Sequence, residues 1–149
     1  MIRKNMLIDS PKTGRHEYSD ADIITTVSGI LGFEREKRYL LLETEKLKPF
    51  VWLQSEERTE LAFLLIDPRL IVRDYSLGVQ REDLSDLELK DGSETMVYAI
   101  VTIPPDPTQM TANLQGPLVF DLTGRKFQQL VIESAEVRHP IFQKDSACS

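Results

Sequence analysis

At intervals of about 8–12 residues the chain returns to a short run of β-branched, aromatic and aliphatic residues, with turn-forming residues in between. Such runs fit a pleated, half-buried surface, and their spacing is that of an all-β sandwich or barrel. Residues 5–10 and 15–19 bracket Pro11-Lys12-Thr13-Gly14, which reads as a hairpin with a loop over residues 11–14. Further runs lie at 22–27, 37–42, 50–55, 61–66, 71–77, 96–103, 111–120, 127–132 and 137–142. The run Leu61-Ala62-Phe63-Leu64-Leu65-Ile66 has no polar member and stops at Asp67-Pro68, so it predicts a strand buried on both faces. One segment breaks the pattern. Residues 81–89 place Leu84 and Leu87 among charges at helical spacing, which predicts one short amphipathic helix ending at Lys90-Asp91-Gly92. The expectation is an all-β, antiparallel β-barrel-like or sandwich fold of about nine or ten short strands with one short helix. It occupies a single domain over residues 1–143, with a disordered tail at 144–149.

The most informative stretch is Thr111-Ala112-Asn113-Leu114-Gln115-Gly116-Pro117-Leu118-Val119-Phe120. It is separated from the run at 96–103 by a loop carrying Pro104, Pro105 and Pro107. In a strand, side chains alternate between faces, so Asn113 and Gln115 share one face and Leu114 takes the other. Two carboxamides beside so much apolar surface need partners. They either close backbone groups at a strand irregularity or read the backbone of another chain. Gly116-Pro117 should interrupt the ladder, since glycine permits a bulge and proline has no N–H to give.

Charge and composition narrow the function. A net charge of −6 disfavours non-specific binding to nucleic acid or to anionic membrane. No apolar run approaches the roughly 20 residues of a membrane-spanning helix, and the N-terminus turns polar too early for a signal peptide. Cys148 is the only cysteine, which suits a reducing cytoplasm and excludes a disulfide framework. His16 and His139 are the only histidines and have no second ligand at helical spacing, so no metal site and no cofactor is expected. There is no phosphate-binding loop and no nucleophile elbow. Gly29-Ile30-Leu31-Gly32 has the spacing of an RNA-clamping loop, but its apolar middle in an acidic chain reads as a turn. The residues alone describe an acidic β domain without a catalytic constellation, better suited to binding protein than to making bonds.

Several short motifs, in order, resemble the flagellar assembly factor FliW family. Gly29-Ile30-Leu31-Gly32-Phe33-Glu34 is similar to a family Gly-Ile/Leu-x-Gly-Phe-Glu element, with Leu31 where proline is common. Trp52-Leu53-Gln54-Ser55, then residues 61–68 and Asp74-Tyr75, resemble the strands that follow. Residues 111–117 match Thr-Ala-Asn-Leu-Gln-Ala-Pro, with Gly116 in place of the usual alanine, and Arg138-His139-Pro140 matches the terminal Arg-His-Pro. Ser134-Ala135-Glu136-Val137 departs from the family, which often has a tyrosine there. The resemblance implies a non-enzymatic, β-barrel-like cytoplasmic regulator of flagellum assembly that acts as a chaperone by holding flagellin. It also implies binding of the translational regulator CsrA, whose repression of flagellin messenger RNA is thereby relieved. The implied partner-binding candidates are Phe33, Glu34, Asp67, Tyr75, Asn113, Gln115, Arg138 and His139. Each has an ordinary structural role as its alternative, in packing, turns or backbone pairing. For Asn113, the sequence leads us to expect that alanine weakens partner capture at an unchanged melting temperature. Two other classes remain open from sequence: a small-ligand-binding barrel or enzyme with a site near His139 and Asp106, and direct RNA binding.

Overall fold

The structure is a computed structural model that describes residues 6–73, 75, 84, 86–87 and 89–142. Ten strands are formed among them: β1 (Met6–Ser10), β2 (Gly14–Tyr18), β3 (Ile23–Thr25), β4 (Arg38–Leu42), β5 (Val51–Ser55), β6 (Ala62–Ile66), β7 (Thr95–Thr102), β8 (Thr111–Asp121), β9 (Lys126–Gln129) and β10 (His139–Pro140). Strands β1 and β2 form a separate hairpin. The others run β10-β8-β7-β6-β5-β4-β3-β9, and β9 also pairs with β8, so β3 to β9 close into a ring. Of the barrel and sandwich readings, the fold is the closed barrel, which leaves no free edge in the ring. The neighbours are antiparallel except at the seam, where β3 and β9 meet parallel through Thr25 and Lys126 alone.

The alternation of strand side chains explains why the apolar runs are so continuous. Inside the ring, Ile24, Tyr39, Leu53, Leu65, Leu118, Phe120 and Phe127 are fully buried with Ile30, Val51 and Tyr98. The rings of Phe120 and Phe127 stack at 4.9 Å, and Tyr98 and Tyr39 meet them edge-on at 5.5 and 5.4 Å. Removing one such ring costs about 3–5 kcal/mol. The outer face of the sheet is apolar as well. Leu64, Ile66, Ala99, Val101, Ala112 and Leu114 are covered there by Phe50, Ile71, Val72, Tyr75, Met110 and Ile141. Strand β6 therefore gives Leu65 to the inner core and Leu64 and Ile66 to the outer one, as its uninterrupted composition predicts. The β1–β2 hairpin covers a third patch, with Ile8 on Ile23 and Leu40.

One sequence expectation changes in detail. The hairpin loop is residues 11–13, because Gly14 takes φ +90° and pairs with Ser10. The buried Ser10 hydroxyl accepts the Lys12 and Thr13 N–H groups at 3.1 and 3.2 Å and fixes that turn. The helix expected over residues 81–89 and the tail at 144–149 lie largely or wholly outside the described residues. The helical turns that are described at Asp20–Asp22, Pro68–Leu70 and Pro107–Gln109 are short 3-10 turns.

Candidate functional site

The irregularity expected at Gly116-Pro117 is a wide bulge. Tyr98 faces Leu118 and Ile100 faces Asn113, so residues 114–117 of β8 stand opposite Ala99 alone. Strand β8 continues, but its pairing with β7 lapses here, and each backbone polar group of the bulge needs another partner. All of them find one. Leu114 N–H donates to Glu136 O at 2.9 Å, while Gln115 N–H and Gly116 N–H both donate to Asn113 Oδ1, at 2.9 and 3.1 Å. Leu114 O accepts from the Tyr75 hydroxyl at 3.4 Å and Gln115 O from Ile132 N–H at 2.7 Å. Gly116 O accepts from Gln129 Nε2 at 3.0 Å and Pro117 O from Leu130 N–H at 2.9 Å. The bulge is thus framed by Tyr75 and by the chain from Gln129 to Glu136.

Three of the candidates meet in this frame. Asn113 sits at its start and accepts two N–H groups; Gln115 turns its side chain outward and donates to Glu133 O at 3.2 Å. Tyr75 closes it from the outer face, and burial raises its phenol pKa above the ordinary value. His139 lies next to it, in β10 opposite Ala112, with Nδ1 3.1 Å from Glu136 Oε1. Arg138 is exposed and has no hydrogen bond or ion pair among the described residues.

Phe33 and Glu34 come from the turn between β3 and β4. Its ends are drawn together by Phe33 N–H on Ile30 O at 2.7 Å, with φ +79° at Gly29 and +90° at Gly32. The Phe33 ring points inward, edge-on to Phe63 at 5.1 Å, whereas Glu34 is exposed. The Glu34 carboxyl is held below its usual pKa, first by the Gly32 N–H it accepts and then by its own N–H and nearby Lys37. This turn reaches the bulge through Leu31 N–H, which donates to Gln129 Oε1 at 2.8 Å. Asp67 stands apart. It starts the Pro68–Leu70 turn, accepting Arg69 N–H at 2.9 Å and the Arg69 guanidinium at 2.8 Å. Burial works against its charge, but the bonds from Arg69 prevail and its pKa is lowered. A cavity of about 150 Å³ lined by Arg69, Tyr75, Thr95, Met96 and Val97 lies between this turn and Tyr75.

The sequence model of the FliW protein family matches residues 7–141. The chain belongs to the FliW family. It is 36% identical over 141 residues to the flagellar assembly factor FliW of Geobacter sulfurreducens, covering 93% of this chain and 88% of that protein. The FliW of Treponema denticola is 38% identical over 144 residues, covering 95% and 97%. A crystal structure of the flagellar assembly factor FliW superposes with a TM-score of 0.84 at 29% identity, over 94% of this chain and 99% of that one.

In this FliW chain the frame of the bulge also carries exposed apolar side chains. Leu31 is 66% exposed, Val131 60% and Val137 51%. Val131 lies between the two residues whose N–H groups hold Pro117 and Gln115, and Val137 follows Glu136, whose carbonyl holds Leu114. Exposed apolar residues beside satisfied polar ones are what a protein-docking surface needs. The features a pocket-based site would need are differently placed. Asp106 caps its own turn, accepting the Thr108 N–H at 3.0 Å and hydroxyl at 2.7 Å, and these bonds hold its pKa low. His139 is turned to Glu136. A groove of about 420 Å³ is lined by Lys12 and the apolar Trp52, Ala62, Phe63, Leu64, Val101 and Ile103, without converging polar groups. Among the described residues no three His, Cys, Asp or Glu side chains are grouped to hold a metal ion.

The residue that sequence reasoning missed is Gln129. Its carboxamide touches both motif-bearing segments. No spacing rule relates position 129 to position 31, because only closure of the barrel brings them together.

Proposed function

We propose that this chain is a non-enzymatic flagellar assembly factor that works by partner exchange in the cytoplasm. It holds flagellin before export; once flagellin leaves, it captures CsrA and relieves repression of flagellin messenger RNA. It contacts neither nucleic acid nor membrane directly. Family membership supports the assembly role, and no helix among the described residues is long and apolar enough to cross a membrane. The observation that carries the reading is the bulge frame. Its polar side chains are engaged with the chain's own backbone, while Leu31, Val131 and Val137 face solvent. Such a site can hold another protein, and among the described residues it brings no nucleophile to a base. Two proteins that compete for one surface exchange according to relative affinity and concentration, so free flagellin sets how much of the chain remains for CsrA. The docking candidates are Tyr75, Asn113, Gln115, Arg138 and His139 around the bulge, Phe33 and Glu34 in the adjoining turn, and Asp67 at the neighbouring cavity.

The experiment is mutual displacement. Purified chain is loaded with CsrA and challenged with flagellin, then the reverse. Each should release the other. Simultaneous occupancy, or no retention of either at micromolar concentration, contradicts the proposal.

A further inference from the structure

The bulge of β8 and the turn at residues 29–34 are joined by one side chain. Gln129 projects from the end of β9 with Nε2 donating to Gly116 O at 3.0 Å and Oε1 accepting Leu31 N–H at 2.8 Å. Each bond satisfies a backbone group that the ladder leaves unpaired. The clamped amide is that of Leu31, a residue 66% exposed although its backbone is held. An exposed apolar side chain on a fixed backbone loses less freedom on binding than one on a mobile loop, so it contributes more of its burial to affinity.

The clamp depends on Gly116. A Cβ there would lie 2.7 Å from Gln129 Nε2 and 3.3 Å from Asn113 Nδ2. Real Cβ atoms essentially never approach a heavy atom as closely as 2.7 Å, and the Gln129 carboxamide, at the end of a flexible side chain, is the part free to move. The backbone at Gly116 is not left-handed, so its lack of a side chain is not a matter of φ. It leaves the space in which the Gln129 carboxamide sits.

We propose that Gln129 is a positioning residue for partner capture: its carboxamide, seated in the space left by Gly116, locks the turn at residues 29–34 to the β8 bulge and fixes Leu31 as an apolar anchor of the docking surface. This rests on the partner-binding reading above. Gln129 touches no reacting group; it acts through Leu31. The clamp makes Gly116 and Gln129 a coupled pair. With alanine at 116 the carboxamide is displaced, and the turn is released as fully as if Gln129 were absent.

The test uses the full chain with Gln129→Ala, Gly116→Ala and both together. Three quantities are read: hydrogen exchange of the Leu31 amide by NMR, thermal midpoint, and affinity for purified flagellin and CsrA. Either single change should accelerate Leu31 exchange about tenfold. Each should weaken capture of both partners, which share the surface, about fivefold to tenfold, the range of a lost anchor. The double variant should match the singles, since the clash has no object once the carboxamide is gone. Protected amides in β5 and β6 should keep their exchange rates, which distinguishes a released turn from general unfolding. Unchanged Leu31 exchange in Gln129→Ala overturns the clamp. Accelerated exchange with unaltered affinity for either partner overturns its role in capture, and additivity of the two changes in exchange overturns the coupling of Gly116 to Gln129. If the unaltered chain holds neither partner, the partner reading fails and the capture role with it, while the exchange data still uphold or overturn the clamp.

Discussion

Asn113 illustrates how the ordinary role of a residue decides what its substitution does. Its Oδ1 accepts two backbone N–H groups of the bulge, and alanine leaves both without a partner. The expected cost is about 1–2 kcal/mol, measurable by urea unfolding, with Asn113→Asp retaining most of the stability because the acceptor oxygen remains. The sequence-based expectation of an unchanged melting temperature is therefore replaced by a fall of a few degrees, since about 1 kcal/mol shifts a domain of this size by about 2–4 °C. Asp67 gives a prediction with a pH signature. Arg69 depresses its folded-state pKa despite partial burial, so its contribution is present above the unfolded-state value, near 4, and is lost as the pH falls through the folded one. Asp67→Asn should thus lower the thermal midpoint at pH 7, and the gap to the unaltered chain should narrow as the pH falls below the unfolded-state value and through the depressed folded-state one. A gap that stays constant with pH would assign the loss to the turn cap rather than to the charge.

At the scale of elements, the turn at residues 29–34 and the bulge set the geometry of the site. Gly29 is held at φ +79°, and a Cβ there would lie 2.8 Å from the Glu34 Cα, a backbone atom that cannot step aside. Gly29→Ala should cost about 1–3 kcal/mol and, unlike Gly116→Ala, should disturb the turn whether or not Gln129 is present. The seam offers a second prediction. One pair, Thr25 with Lys126, joins β3 to β9, whereas β5 and β6 share four. The Thr25 amide should exchange faster than those in the middle of β5, as sparsely paired segments open first. The strands were legible in the sequence because each carries its own local pattern: Leu61 to Ile66 reads as buried on both faces, and it is. Gly116-Pro117 announced an interruption but not its width, because register depends on the partner strand, and the extra residues are counted only against Ala99. The choice between barrel and sandwich rests on β9 pairing with both β8 and β3, contacts across most of the chain that no local pattern encodes.

For the whole molecule, the consequence is a closed barrel with apolar packing on both faces of its wall, and the docking surface we propose is built from its backbone irregularity. Motif residues that look like contacts in sequence, Asn113 above all, serve to hold the bulge, and Gln129, silent in sequence, links two motifs. The family was legible because those motifs keep their order along the chain; Gln129 was not, because its two partners are 13 and 98 residues away. In the proposed function the molecule is held by one protein at a time. The most direct measurement is a competition titration: chain saturated with CsrA, flagellin added stepwise, and released CsrA followed together with its return to flagellin messenger RNA. Partner exchange predicts stoichiometric release and restored repression as flagellin rises. A ternary complex of chain, CsrA and flagellin, with repression still relieved, would contradict it.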